Sequence, residues 1–144
     1  MNSITLVKTP EDIKKCFSVL VQLHEDLSIE YLLEFWNRNR ESGFQFVYLV
    51  DSEDVAAVAG FHIGESLSWK RYLYVDDLVV DKVKRSKGYG SMLLDWIRNY
   101  AESENCLQIH LDSRVIRYKT HKFYLNQGFY IGGYHFVNGN GGET

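Results

Sequence analysis

Between Val80 and Leu94 the chain reads Val-Asp-Lys-Val-Lys-Arg-Ser-Lys-Gly-Tyr-Gly-Ser-Met-Leu-Leu. Lys82, Lys84, Arg85 and Lys87 crowd one loop, and Gly88 and Gly90 follow. An apolar run, Leu73 to Val80, leads in, and an amphipathic stretch from Gly88 to Glu104 leads out. A run of cations alone reads as a solvated surface turn. Placed between a strand and a helix start, it makes a cradle for a pyrophosphate. Backbone N–H groups point outward there, the helix dipole favours negative charge, and glycine lets the backbone approach. Just upstream, Asp76 and Asp77 interrupt the apolar strand. Aspartate disfavours strands, so the pair needs a reason. One reading is proton chemistry on a bound substrate; the other is a solvated strand face.

The phosphate group is not read by a dinucleotide fingerprint, because Gly88 and Gly90 are followed by Leu93 where G-x-G-x-x-G requires a third glycine. G-x-x-x-x-G-K-[ST] is absent as well. The spacing Arg85-x-x-Gly88-x-Gly90 instead resembles the acyl-CoA loop, [QR]-x-x-G-x-[GA], of the GCN5-related N-acetyltransferase (GNAT) family. Further along, His121-Lys-Phe-Tyr-Leu-Asn-Gln-Gly-Phe129 looks like that family's F-Y-x-x-x-G-F element. The resemblance runs from about Ile4 to Val137, and the bacterial proteins similar to yeast histone and polyamine acetyltransferases look nearest.

The resemblance implies acetyl-CoA as cosubstrate and direct acetyl transfer to a primary amine in a ternary complex. A small amine, polyamine or amino acid is the first expectation for the acceptor, and a protein lysine or N-terminus the second. The alternative is an acyl-CoA-binding regulatory module without turnover. By resemblance, Arg85, Lys87, Gly88, Gly90 and Ser91 would hold the pyrophosphate. Leu78 and Val80 would offer main-chain groups to the pantetheine arm and the acetyl carbonyl. Their strand would splay from its neighbour, the thioester entering the gap, where a backbone N–H can stabilise the oxyanion. Tyr124 would be the general acid that protonates the leaving thiolate.

Val75-Asp76-Asp77-Leu78 is similar to the Leu-Glu-Asp-Phe of spermidine/spermine acetyltransferases. That similarity makes Asp76 the base or water-holder and Asp77 a substrate contact. Successive strand residues point to opposite faces, so only one should face the pocket unless a bulge intervenes. Arg117 and His121 are further cofactor candidates, His121 as a proton shuttle or a CoA contact. His24 and Tyr31 fall where the family's acceptor site is lined. The chain departs from the family at Ser86, where glycine is common, and at Arg117, where asparagine is common.

These residues need a scaffold, and the hydrophobic pattern predicts β-α-α-β-β-β-α-β-α-β. Ile4–Val7 reads as a strand. Thr9-Pro10 starts a first helix and Ser28 a second, which Gly43 ends. Phe44–Val50, Val55–Ile63 and Arg71–Val80 read as meander strands, with Gly60 marking a bulge or close approach. Leu107–Leu111 is a short strand. Asp112 or Ser113 is expected to cap a helix over 115–126, stopped by Gly128. Phe129–Val137 reads as a last strand, and 138–144 as a frayed tail. The expected fold is α/β (α+β), a single domain over 1–144. Its mixed, mostly antiparallel sheet would have six to seven strands with helices on both faces.

Composition narrows the partners. The net charge of −3 carries no overall basic signature, so nucleic acid is not expected. No apolar run is long enough to span a membrane, and the first residues do not resemble a signal peptide. Cys16 and Cys106 fit neither a metal spacing nor a disulfide framework, so reduced thiols and a cytoplasmic location are expected. Neither falls in the two motifs, which argues against a cysteine nucleophile. The family often dimerises, and Tyr130 and Tyr134 suit either an interface or the core.

Overall fold

The computed structural model describes residues 2–139 and separates into two compact units, residues 1–111 and 112–144. The first unit is a five-stranded sheet with strands in chain order: β1 (Asn2–Leu6), β2 (Phe44–Asp51), β3 (Asp54–Ser66), β4 (Lys70–Val80) and β5 (Gln108–Leu111). The first four pair antiparallel as a meander. β5 runs parallel to β4, because a helix carries the chain back before it pairs.

Helices α1 (Pro10–Leu23) and α2 (Ile29–Asn39) cover one sheet face. Thr9 and Asp12 form a reciprocal capping box at the start of α1, with Pro10 in its first turn. The backbone of Lys8 and Thr9 donates to the Asp12 carboxylate and lowers its pKa. Ser28 caps α2. Ile13, Leu20, Leu32 and Trp36 pack with Phe44, Phe46, Tyr48 and Val58 of the sheet. On the opposite face, α3 (Tyr89–Ser103) lays Leu93, Leu94, Ile97 and Ala101 into the core. Phe61, fully buried, meets Trp96 and Tyr100 there. Helices therefore flank both faces, as the pattern predicted.

Two bulges shape the sheet. Val50 pairs with Val55 while Leu49 pairs with Ala57, leaving Ala56 as an extra residue on β3. Its carbonyl accepts from Asp81 N at 2.8 Å and anchors the end of β4. The second bulge is on β4: Gly60 pairs with Asp77 and Phe61 with Val75, so Asp76 is extra.

The second unit holds α4 (Tyr118–Asn126). Its start is corrected: Arg117, not Asp112 or Ser113, is the N-cap, and no side chain caps the helix. Ser113 Oγ is buried without a hydrogen-bond partner among the described residues. Gly128 sits at φ 92°, the left-handed stop expected of it. Phe129–Val137 is a second correction. It pairs with no strand among the described residues, so the sheet has five strands there, not six to seven. Alternating apolar residues make a strand only when a partner takes their N–H and C=O groups. Gly132-Gly133 breaks the run. Tyr130 and Tyr134 are exposed, at 82% and 85%. The tail expected over 138–144 lies outside the described residues from position 140 onward.

Candidate active site

The basic loop is held open by contacts at both ends. Asp81 caps a short 3-10 turn, Lys82–Lys84, by accepting from Val83 N. Gln22 of α1 clamps the same point, donating to Asp81 Oδ1 at 3.2 Å and accepting from Lys82 N at 2.9 Å. At the far end the Tyr89 hydroxyl donates to Asp51, which also pairs with Lys84 Nζ at 3.7 Å. The Tyr89 hydrogen bond lowers the Asp51 pKa and raises that of the phenol.

Between these anchors Ser86 and Gly88 adopt left-handed conformations, φ 70° and 82°. The serine thus stands in a conformation that glycine takes freely. Gly88 is the N-cap of α3 and, as glycine, brings no side chain to the helix's first N–H groups. A Cβ on Gly88 would meet nothing within 4 Å, so the approach is open. A helix start with a glycine cap, the helix dipole and the cations Arg85 and Lys87 fit a pyrophosphate. Gly90 and Ser91 fall in the first turn of α3.

The strand before the loop offers a main-chain edge. β4 pairs with β5 only from Tyr72 to Val75, whose partners are Gln108 to Leu111. Within this unit Asp76 to Val80 extend past the last paired residue of β5. Leu78 and Val80 stay paired with Ala59 and Ala57 of β3. The pairing ends where β5 itself ends, at Leu111, whose partner Val75 stands one residue before the bulge at Asp76.

The bulge also settles the parity of the two aspartates. His62 pairs with Tyr74, and Gly60 with Asp77, so the extra residue turns both Asp76 and Asp77 to the α1/α2 face. Each meets a histidine. His24, the C-cap of α1, brings Nε2 to 2.6 Å from Asp77 Oδ1. His62 on β3 brings Nδ1 to 2.6 Å from Asp76 Oδ2. Gly60 makes room for this: a Cβ there would lie 3.1 Å from Asp77 Oδ2 and 2.9 Å from Phe46 Cε1.

Asp77 and His24 open onto a cavity of about 570 Å³ between α1, α2 and the sheet. Tyr31, Phe35 and Phe46 supply aromatic walls, and Glu25 and Asp26 add charge at the helix junction. The structure thus brings together three residues read from the sequence: His24, Tyr31 and Asp77. Asp76, next to Asp77 on the bulge, meets His62.

The remaining candidates belong to the second unit. Tyr124 sits in an aromatic cluster with Phe123 and Phe129. Burial pushes its phenol up to about 12, and the charge of Arg117 pulls the other way. His121 Nε2 lies 2.6 Å from the Arg114 carbonyl and ties down the segment before α4. Among the described residues no group of three or more His, Cys, Asp or Glu side chains could hold a metal ion, and no helix is long and apolar enough to cross a membrane. Burial pushes the Cys16 thiol up to about 12, which keeps it protonated.

Sequence reasoning missed His62, Gln22 and the Asp51–Tyr89 contact. Each depends on a partner remote in sequence. Only the β3–β4 register, which sets His62 beside Tyr74, had a local signal in the hairpin turn.

The family model described as the acetyltransferase (GNAT) family matches residues 8–129. The chain belongs to this family. That makes it an N-acetyltransferase with acetyl-CoA as its cosubstrate. It is 29% identical over 128 residues to the "Uncharacterized N-acetyltransferase YhdJ" of Bacillus subtilis (strain 168), covering 88% of this chain and 90% of that one. The fold is similar to that of the aminoglycoside N-acetyltransferase AAC(6')-Iy, a structure in complex with CoA. There the TM-score is 0.87 at 10% identity, covering 98% of this chain and 95% of that chain. The glucosamine-6-phosphate N-acetyltransferase of Arabidopsis thaliana has the same fold, with TM-score 0.79, 19% identity and coverage of 96% and 97%.

Proposed function

We propose that this N-acetyltransferase acetylates a small cationic primary amine, such as a polyamine or an amino acid. A protein lysine or N-terminus is the second acceptor class. The observation that carries the choice is Asp77. Its carboxylate faces an aromatic-walled cavity with Glu25 and Asp26 at the mouth, an environment that favours a positive charge with an apolar body.

Acetyl-CoA supplies an electrophilic thioester carbonyl. Arg85, Lys87, Gly88, Gly90 and Ser91 take the pyrophosphate at the start of α3, and Leu78 and Val80 offer main-chain groups along the open edge of β4. Arg117 and His121 are further cofactor contacts in this reading. His24, Tyr31 and Asp77 hold the acceptor. The Asp76 centre removes the proton that keeps the amine inert, since an amine of pKa about 10 is only about one part in a thousand neutral at pH 7. Tyr124 is the acid for the departing thiolate. Burial supports this role by keeping the phenol protonated across the neutral range.

The test is release of free thiol from acetyl-CoA against polyamines, amino acids, aminoglycosides and lysine peptides, with a no-amine blank. Amine-dependent release names the acceptor class. Release no faster than the blank across the panel, with CoA still bound, moves the protein to the regulatory, non-turning-over class.

A further inference from the structure

Four rings stand side by side across the sheet. Phe44, His62, Tyr74 and His110 are register partners on β2, β3, β4 and β5. His62 lies nearly parallel to both neighbours, 5.5 Å and 16° from Tyr74 and 6.5 Å and 19° from Phe44. Tyr72 meets it edge-on at 6.3 Å. The imidazole plane is thus set by aromatic contacts on both sides.

The hydrogen bond sets the tautomer. An ionised carboxylate only accepts, so with Asp76 Oδ2 at 2.6 Å it is Nδ1 that carries the proton. The lone pair then resides on Nε2, which has no hydrogen-bond partner among the described residues. The His62 side chain is 35% exposed, so a solute can reach it. The ionisable groups facing it are Asp76, Tyr72 and Tyr74 on β4. Asp77 stands next along the bulge, already joined to His24.

We propose that His62 Nε2, not an Asp76 oxygen, is the base that takes the proton of the acceptor ammonium, with Asp76 as its positioning residue. The inference rests on the acetyl-transfer reading and refines its proton step. The ammonium gives one proton to Nε2, and the imidazolium formed keeps its Nδ1–H hydrogen bond to Asp76 Oδ2. The neutral amine forms the C–N bond to the acetyl carbon as the C–S bond breaks. The sulfur leaves with the bonding pair and is protonated by Tyr124. The new amide nitrogen loses its second proton to water. Tyr124 recovers a proton from solvent and His62 returns its own, so one proton is released per turnover.

Long-range nitrogen NMR on labelled protein reads the tautomer without turnover. Nδ1–H with a bare Nε2 is expected, becoming a tautomer mixture in Asp76→Asn. An Nε2–H tautomer would overturn the assignment. Kinetics give the second reading, with CoA titration and circular dichroism checking each variant's fold. His62→Gln is expected to cut kcat/KM by roughly tenfold to a hundredfold at pH 7. The deficit should shrink toward twofold near pH 10, where the free amine no longer needs a base. Because the two residues act as one unit, the double variant should be no worse than His62→Gln alone. A His62→Gln rate within twofold of the parent at pH 7, or fully multiplicative losses, would make Asp76 the base. If the parent enzyme itself acetylates nothing, the acetyl-transfer reading fails, and the tautomer measurement still decides the assignment of His62.

Discussion

His24 and Asp77, 53 residues apart in the chain, meet at 2.6 Å and join the end of α1 to the bulge of β4. The contact closes one side of the aromatic-walled cavity, the proposed acceptor site, and leaves a carboxylate in its wall. Hydrogen bonds to charged groups contribute about 1.5–3 kcal/mol. Asp77→Asn is therefore expected to raise KM for a cationic acceptor by roughly tenfold to a hundredfold. KM for acetyl-CoA should hold within about twofold, because Asp77 lines the cavity beside His24 and is not among the residues proposed to take the pyrophosphate. Steady-state kinetics with each substrate varied in turn check this, and an equal rise in both constants would argue against an acceptor role.

Gly60 faces the same carboxylate. A methyl group there meets Phe46 at 2.9 Å and Asp77 at 3.1 Å, and Phe46 is buried and hard to displace. Gly60→Ala is expected to destabilise the fold by about 1–3 kcal/mol through overpacking. It should also lower kcat/KM by moving Asp77. Urea unfolding at matched pH measures the first effect; unchanged stability would mean that the ring gives way.

Ser86 offers the opposite test. Its φ of 70° costs about 1–2 kcal/mol for a residue with a Cβ. Glycine removes that strain at an entropic cost of about 0.5–1 kcal/mol. Ser86→Gly should leave stability unchanged or raise it by up to about 1.5 kcal/mol, with CoA binding retained. Thermal unfolding with CoA titration calorimetry reads both, and a clear loss of stability would show that the serine hydroxyl contributes to the loop.

Tyr124→Phe deletes the proposed acid and keeps the ring contacts with Phe123 and Phe129. A fall in kcat of roughly a hundredfold is expected, with little change in CoA affinity. With the parent phenol held up to about 12, no loss of rate from its ionisation should appear below about pH 11. A descending limb at pH 10, the ordinary phenol value, would show that Tyr124 is more solvated in the working enzyme.

Cys16 links the fold to alkaline pH. Its folded pKa, about 12, lies above the ordinary thiol value of 9.0 because the thiol is buried. The raised value means that the stabilisation is complete below about pH 9 and is lost as pH climbs toward 12. The unfolded thiol ionises first, and up to roughly 4 kcal/mol is at stake. Cys16→Ala should start less stable at neutral pH, from its cavity, yet show a shallower decline between pH 9 and 11. In the folded parent, a thiol reagent should modify the partly exposed Cys106 and spare Cys16.

Much of this molecule was legible along the chain. Thr9-Pro10 and Ser28 announced their helices because capping is local chemistry. The meander was legible from alternation, and the Arg85–Gly90 loop from cations and glycines beside a helix start. Each of these signals is complete within a few residues. The segment Phe129–Val137 shows the limit. Its alternating apolar residues satisfy a strand's composition, but pairing requires another segment's backbone, which local composition does not specify.

The two aspartates divide the matter most sharply. By itself the sequence determined that two carboxylates interrupt an apolar strand just before a loop rich in cations and glycines. It also determined that Gly60 marks a bulge or close approach on the neighbouring strand. Only the tertiary structure decided that both carboxylates share one face, that His24 takes one and His62 the other, and that aromatic rings fix the plane of His62. Register across a sheet depends on the summed packing of both faces, and a shift of one residue reverses every side chain.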